Sequence, residues 1–140
     1  MRFICLDLGE KRIGVASADD RTGVAVPVTT VSAGPDLVAV VDGIAREQAA
    51  DELVIGMPLS MSGALGPQAQ SISAVVAELR ERLSIPVHTW DERLSTVQAA
   101  RIAPSLGRRK SARTAAAGRD AAAAAIILQA FMDRRRLSIS

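Results

Sequence analysis

Residues 1–18 read MRFICLDLGEKRIGVASA. The apolar run Phe3-Ile4-Cys5-Leu6 meets one acid, Asp7, then Leu8-Gly9, a charged turn Glu10-Lys11-Arg12, and a second apolar run from Ile13 to Ala18. This pattern predicts two antiparallel strands joined by a short polar turn. Aromatic and β-branched residues favour the strands, and Gly9 and Gly14 allow close approach to the backbone. An ionised carboxylate inside an apolar strand is costly unless a cation offsets it. Asp7 is therefore the residue whose companions have to be found.

Working outward, Asp19 to Gly23 reads as a turn and Val24 to Val31 as a third strand, in which Pro27 suits an edge or a bulge. Asp36 is a good N-cap for a helix to about Ala49, with Leu37, Val40, Val41 and Ile44 at helical spacing. Glu52 to Gly56 reads as a short buried strand, expected at the centre of the sheet. It leads into the small-residue loop 57–66, and Pro67 opens a helix to about Leu83. Ile85 to Trp90 reads as the last strand, ending in Asp91-Glu92-Arg93, and Ser95 or Thr96 caps a short helix toward Ile102. Residues 104–119 form a basic segment without a period. A final helix is expected from near Asp120 to about Arg134, its Asp120, Ala123, Ala124 and Ile127 sharing the face toward the sheet. The expected fold is α/β, one domain over 1–140: a mixed five-stranded sheet, its first three strands antiparallel, with helices on both faces. Ligands of such sheets gather beyond the carboxyl ends of the parallel strands.

Composition narrows the chemistry. The 140 residues include one Cys and one His, which rules out a disulfide framework, a thiolate cage and a multi-histidine zinc site, and leaves carboxylates for a hard cation such as Mg²⁺. Two Phe, one Trp and no Tyr argue against a nucleic-acid platform built on aromatic stacking. The first residues have neither the pattern of a signal peptide nor that of a membrane span, so a cytoplasmic location and no membrane partner are expected. Residues 1–92 hold 7 basic and 13 acidic side chains, whereas 93–140 hold 10 and 2. The basic C-terminal third suggests an anionic partner on one face, and charge alone speaks equally for a solvated tail at Arg134-Arg135-Arg136.

Asp7, the Asp91-Glu92 pair and Asp120 can meet at one sheet edge. Taken singly, Asp120 could be a plain helix cap, and Asp91 or Glu92 could pair with Arg93. Taken together, they have the makings of a divalent-metal site, such as two Mg²⁺ ions roughly 4 Å apart that serve phosphodiester hydrolysis. Arg93, next to the acids, could contact a phosphate or restrain a carboxylate. Arg108, Arg109, Lys110 and Arg113 could track a nucleic-acid backbone, and Lys11 and Arg12 in the hairpin turn are further candidates. His88 reads as a packed or surface histidine rather than a catalyst.

Four motifs in order, Asp7-Leu-Gly-Glu-Lys-Arg-Ile-Gly-Val-Ala16, Gly56-Met-Pro-Leu-Ser-Met-Ser-Gly63, Asp91-Glu-Arg-Leu-Ser-Thr96 and Asp120 followed by alanines and Ile-Ile-Leu, resemble the YqgF/RuvX family. Its members are assigned as Holliday junction resolvases or pre-16S ribosomal RNA nucleases. The resemblance implies an RNase H-like fold and Mg²⁺- or Mn²⁺-dependent cleavage of structured nucleic acid. It makes Asp7, Glu92 and Asp120 the metal-binding catalytic carboxylates, with Asp91 the alternative at the second position. The chain departs from the family pattern at Gly118-Arg119, where a lysine shortly before the aspartate and an apolar residue directly before it are usual. Junction resolution would call for a homodimer presenting two sites to two strands, and RNA trimming would not. Two other classes compete. One is a non-catalytic RNA- or ribosome-associated factor of the same fold. The other is an actin-like ATPase or sugar kinase, whose phosphate hairpin Asp7-x-Gly9-x-x-x-x-Gly14 also resembles but whose second half 140 residues do not supply.

Overall fold

The computed structural model describes residues 1–60, 62–97 and 112–139, without the side chains of 112–117, 119, 138 and 139. The elements run β1 (Arg2–Leu8), β2 (Arg12–Asp19), β3 (Ala25–Ser32), α1 (Leu37–Glu47), β4 (Glu52–Met57), α2 (Pro67–Arg82), β5 (Val87–Asp91), a 3₁₀ turn (Glu92–Leu94) and α3 (Ala112–Ile139). One five-stranded sheet has the order β3-β2-β1-β4-β5. β1 pairs antiparallel with β2 and parallel with β4, β2 pairs antiparallel with β3, and β4 pairs parallel with β5. The strand expected at the centre, β4, stands one place over, because the hairpin and the parallel crossover both pair with β1. β3 is an edge strand, and Pro27 faces Ala16 where the register shifts, so the proline occupies an edge and a bulge together.

The two-residue period of β1 sends its side chains into two separate cores. Ile4, Leu6 and Leu8 join Ile13, Val15, Leu53 and Ile55 beneath α1 and α2, whose Val41, Ile44, Ile72, Val76 and Leu79 close that side. Phe3 and Cys5 join Ala16, Ala18, Val54 and Trp90 beneath α3, which contributes Ala123, Ala124, Ile127 and Leu128. Helices therefore cover both faces, and a strand buried on both sides is apolar throughout, as the first run is. Asp36 caps α1 by accepting from the Ala39 N–H at 3.1 Å, and Pro67 stands in the first turn of α2.

The last helix differs from expectation. It does not start at Asp120 but is already formed by Ala112, so Asp120 lies more than two turns inside it and is no N-cap. Ala115 to Ala117 have the highest helix propensity of any residue and outweigh the cost of Gly118, about 1 kcal/mol. Arg113 enters this helix, whereas Arg108, Arg109, Lys110 and the short helix expected toward Ile102 lie outside the described residues. β5 begins at Val87, two residues later than the sequence pattern implied, directly after Pro86. Gln129 ties α3 to the β2–β3 turn: its Nε2 donates to the Gly23 carbonyl and its Oε1 accepts from the Ala25 N–H, both at 2.9 Å.

Candidate functional site

Asp7 is the next residue after Phe3 and Cys5 on the α3 side of β1, and is 7% exposed. Its strand partner across the hairpin is Gly14. A Cβ at Gly14 would lie 2.0 Å from the Asp120 carbonyl oxygen, so α3 rests backbone to backbone on β2 at this point. Only a residue without a side chain admits that contact, and the contact sets Asp120 beside the strand pair that carries Asp7.

Glu92 reaches the same side from β5 through the 3₁₀ turn and is 8% exposed. A Cβ at Gly56 would lie 3.1 Å from Glu92 Oε2 and 2.8 Å from Ile127 Cδ1, so the carboxylate occupies the space above β4 that a side chain there would fill. Cys5 registers both acids. Its thiol is pushed well above the ordinary range, first by burial and then by the negative charges of Asp7 and Glu92.

Asp91, the sequence neighbour of Glu92, serves another purpose. It accepts from the Arg93 backbone N–H at 3.0 Å, from Arg93 Nε at 3.0 Å and from Arg93 Nη2 at 2.6 Å. The side-chain hydrogen bonds from Arg93 hold its carboxyl below the usual carboxylate range, against the opposing effect of partial burial. A Cβ on Gly63, which has φ +85°, would stand 3.3 Å from Arg93 Nη1, so the loop after β4 lies against the arginine that Asp91 holds. The glycine loop and the Asp-Glu-Arg string thus meet, as their positions at the ends of β4 and β5 require.

Asp120 Oδ2 accepts from Arg12 Nε at 2.7 Å. The basic group at this aspartate comes from the β1–β2 hairpin, 108 residues away in sequence, and no local pattern announces it. Arg12 therefore orients an acid in this structure, while Lys11 stands exposed beside it in the turn. Among the described residues no group of three or more His, Cys, Asp or Glu side chains stands close enough together to hold a metal ion. Asp7 and Glu92 are nonetheless a fitting start for one. Two acids sit with little exposure, near enough to the same thiol to perturb it, and crowding like charges in a buried place favours a hard divalent cation with oxygen ligands. Asp120 would complete the set by exchanging Arg12 for the ion.

The chain is similar to known proteins over nearly its full length. The RuvX family model, described as Holliday junction resolvase, matches residues 1–134. A candidate pre-16S rRNA nuclease of Roseiflexus sp. (strain RS-1) is 42% identical over 137 residues, covering 96% of each chain. Another, of Caldanaerobacter subterraneus subsp. tengcongensis, is 37% identical over 145 residues, covering 99% of this chain and all of its own. Among solved structures, Thermus thermophilus RuvC in complex with a Holliday junction substrate superposes with a TM-score of 0.58 at 16% identity, covering 97% of this chain and 96% of that one. At that identity the likeness is one of fold, the RNase H-like arrangement of a mixed sheet with helices on both faces.

Proposed function

The chain belongs to the RuvX family, and on that footing we propose that it is a divalent-metal-dependent nuclease that hydrolyses phosphodiester bonds in structured nucleic acid. The observation that carries the reading is the pair of buried acids, Asp7 and Glu92, gathered over Cys5 at the carboxyl ends of β1 and β5. Parallel strands of this kind of sheet present their ligands at that end. Asp7, Glu92 and Asp120 would hold Mg²⁺ or Mn²⁺. Bound there, the metal supplies Lewis-acid polarisation of the phosphoryl group and a water of lowered pKa.

The chain's own residues set the stage. β1 and the 3₁₀ turn fix Asp7 and Glu92 on stiff elements, so little reorganisation is needed to receive a cation. Arg12 holds the Asp120 carboxylate through its 2.7 Å hydrogen bond, and it would be placed to meet a phosphate once Asp120 turns to the metal. Arg93, braced by Asp91, presents a guanidinium at the rim beside the glycine loop. The names of the relatives favour a precursor of 16S rRNA as the substrate, and the family description favours a four-way DNA junction. A homodimer is expected only for the second.

The test compares wild type with Asp7→Asn on a labelled precursor RNA, a four-way junction and a matched linear duplex, each with Mg²⁺ and with Mn²⁺. Asp7→Asn should lower cleavage at least a hundredfold while substrate affinity stays within about threefold, since it removes a metal-ligand charge and no phosphate contact. Unchanged cleavage would overturn the site. No cutting by wild type on any substrate would move the protein to a binding factor of the same fold.

A further inference from the structure

A second feature lies along the outer edge strand β5, on the α3 side. It is an open groove of about 540 Å³ lined by Arg80, His88, Trp90, Phe131, Arg134 and Arg135. The chain has two Phe, one Trp, no Tyr and one His. All four of these rings stand together: the Phe131 centroid lies 6.0 Å from Phe3, 5.2 Å from His88 and 6.3 Å from Trp90, the last edge-on. Filling a core does not require this, because Phe131 and His88 are only half-buried and keep part of their ring faces at the groove.

The charges around the rings are lopsided. Arg80 donates from Nε and Nη2 to the Val87 carbonyl, at 3.1 and 2.8 Å, which anchors it to β5 through one side of its guanidinium. Arg135 sits 5.0 Å above the Phe3 ring and 3.6 Å from Glu52 Oε1. Arg134 is exposed at the lip. The acid at the base is Glu52, whose Oε1 is shared between Arg135 and His88 Nε2, the latter at 2.7 Å. Three guanidiniums thus line the groove, and one of them, Arg135, pairs with the buried Glu52 carboxylate.

Half-exposed ring faces beside fixed guanidiniums are what one nucleotide asks for. The base needs a π surface and the phosphate needs cations. The volume is in the range of small-ligand sites, roughly 300–1,000 Å³. We propose that this groove holds one nucleotide of a single-stranded stretch of the substrate, its base against His88 and Phe131 and its phosphate on Arg80 and Arg134. The proposal rests on the nuclease reading above. Along β5, His88 stands four residues before Glu92, about 13 Å at the strand rise. One strand can therefore engage the groove and the acids together.

Trp90 is the sole tryptophan and lines the groove, so its fluorescence reports occupancy. The full chain is titrated in EDTA, which prevents cutting, with single-stranded hexa-adenylate, with an abasic hexamer of equal charge, and with inorganic phosphate. Hexa-adenylate should change the Trp90 signal saturably, the abasic hexamer should bind at least tenfold more weakly, and phosphate should be weaker still. Arg80→Gln with Arg134→Gln should lower hexa-adenylate affinity at least tenfold. Arg134→Gln alone should lower it about threefold, with the folded circular dichroism spectrum retained. Asp7→Asn should bind as wild type. Equal binding of the abasic strand, saturation by phosphate alone, no signal, or undiminished affinity in the arginine variants would each overturn the groove. Normal binding here with no cleavage by wild type defeats the nuclease reading alone, and normal cleavage without this binding defeats the groove alone.

Discussion

Asp91 and Glu92 are adjacent in sequence and could not be told apart there. The end of β5 separates them, giving Asp91 to Arg93 and turning Glu92 inward over Gly56. Asp91 in turn has a titration that can be followed. Its folded carboxyl lies below the ordinary aspartate value of about 3.9. A depressed acid contributes stability that is fully present above the unfolded value and is lost as the pH falls through the folded one. Asp91→Asn should therefore cost about 0.5–1 kcal/mol at pH 7, in keeping with a partly exposed pair, and the gap from wild type should close in acid. Urea unfolding at pH 7, 5 and 3 checks this; a gap that widens toward pH 3 would contradict it. Asp7 was legible from sequence because an acid inside an apolar strand has few structural uses. Arg12 as the partner of Asp120 was not, since the two are brought together only by the docking of α3 on β2.

At the scale of elements, short apolar runs bounded by turn residues mark the five strands, and helical spacing marks α1 and α2, because each of those helices buries one stripe. That spacing failed for the start of α3. The residues ahead of Asp120 are small and basic with no apolar stripe, and their helix rests on alanine propensity, which pattern reading does not weigh. The seam between α3 and β2 has its tightest point at Gly14. Gly14→Ala would drive a methyl into the Asp120 carbonyl, and the helix would have to lift. Overpacking of this kind costs about 1–3 kcal/mol, read from the denaturation midpoint. Because the same lift moves Asp120, cleavage should fall more than the loss of stability accounts for. A variant as stable and as active as wild type would show that the seam does not set the acid.

Over the whole molecule, charge is divided along the chain, with most acids before residue 93 and an excess of arginine and lysine after it. Binding of structured nucleic acid should accordingly weaken about tenfold or more between 50 and 200 mM salt, through counterion release. A flat response in a filter-binding or anisotropy titration would remove the basic third from the interface. Composition counts the aromatic residues but does not place them. Phe3, His88 and Trp90 are brought around Phe131 by the packing of the last helix, a fact of three dimensions with no trace in the linear order.

The bond between Arg12 and Asp120 closes a loop of 108 residues, and the face of the sheet that carries Phe3, Cys5 and Trp90 has α3 as its cover. All five strands precede that helix in the chain, and in the proposed site the third acid, Asp120, would join Asp7 and Glu92 only once the helix docks. The docking that would complete the acid set is thus the same one that hides the second core from water, so assembly of the proposed site and burial of that core are a single event.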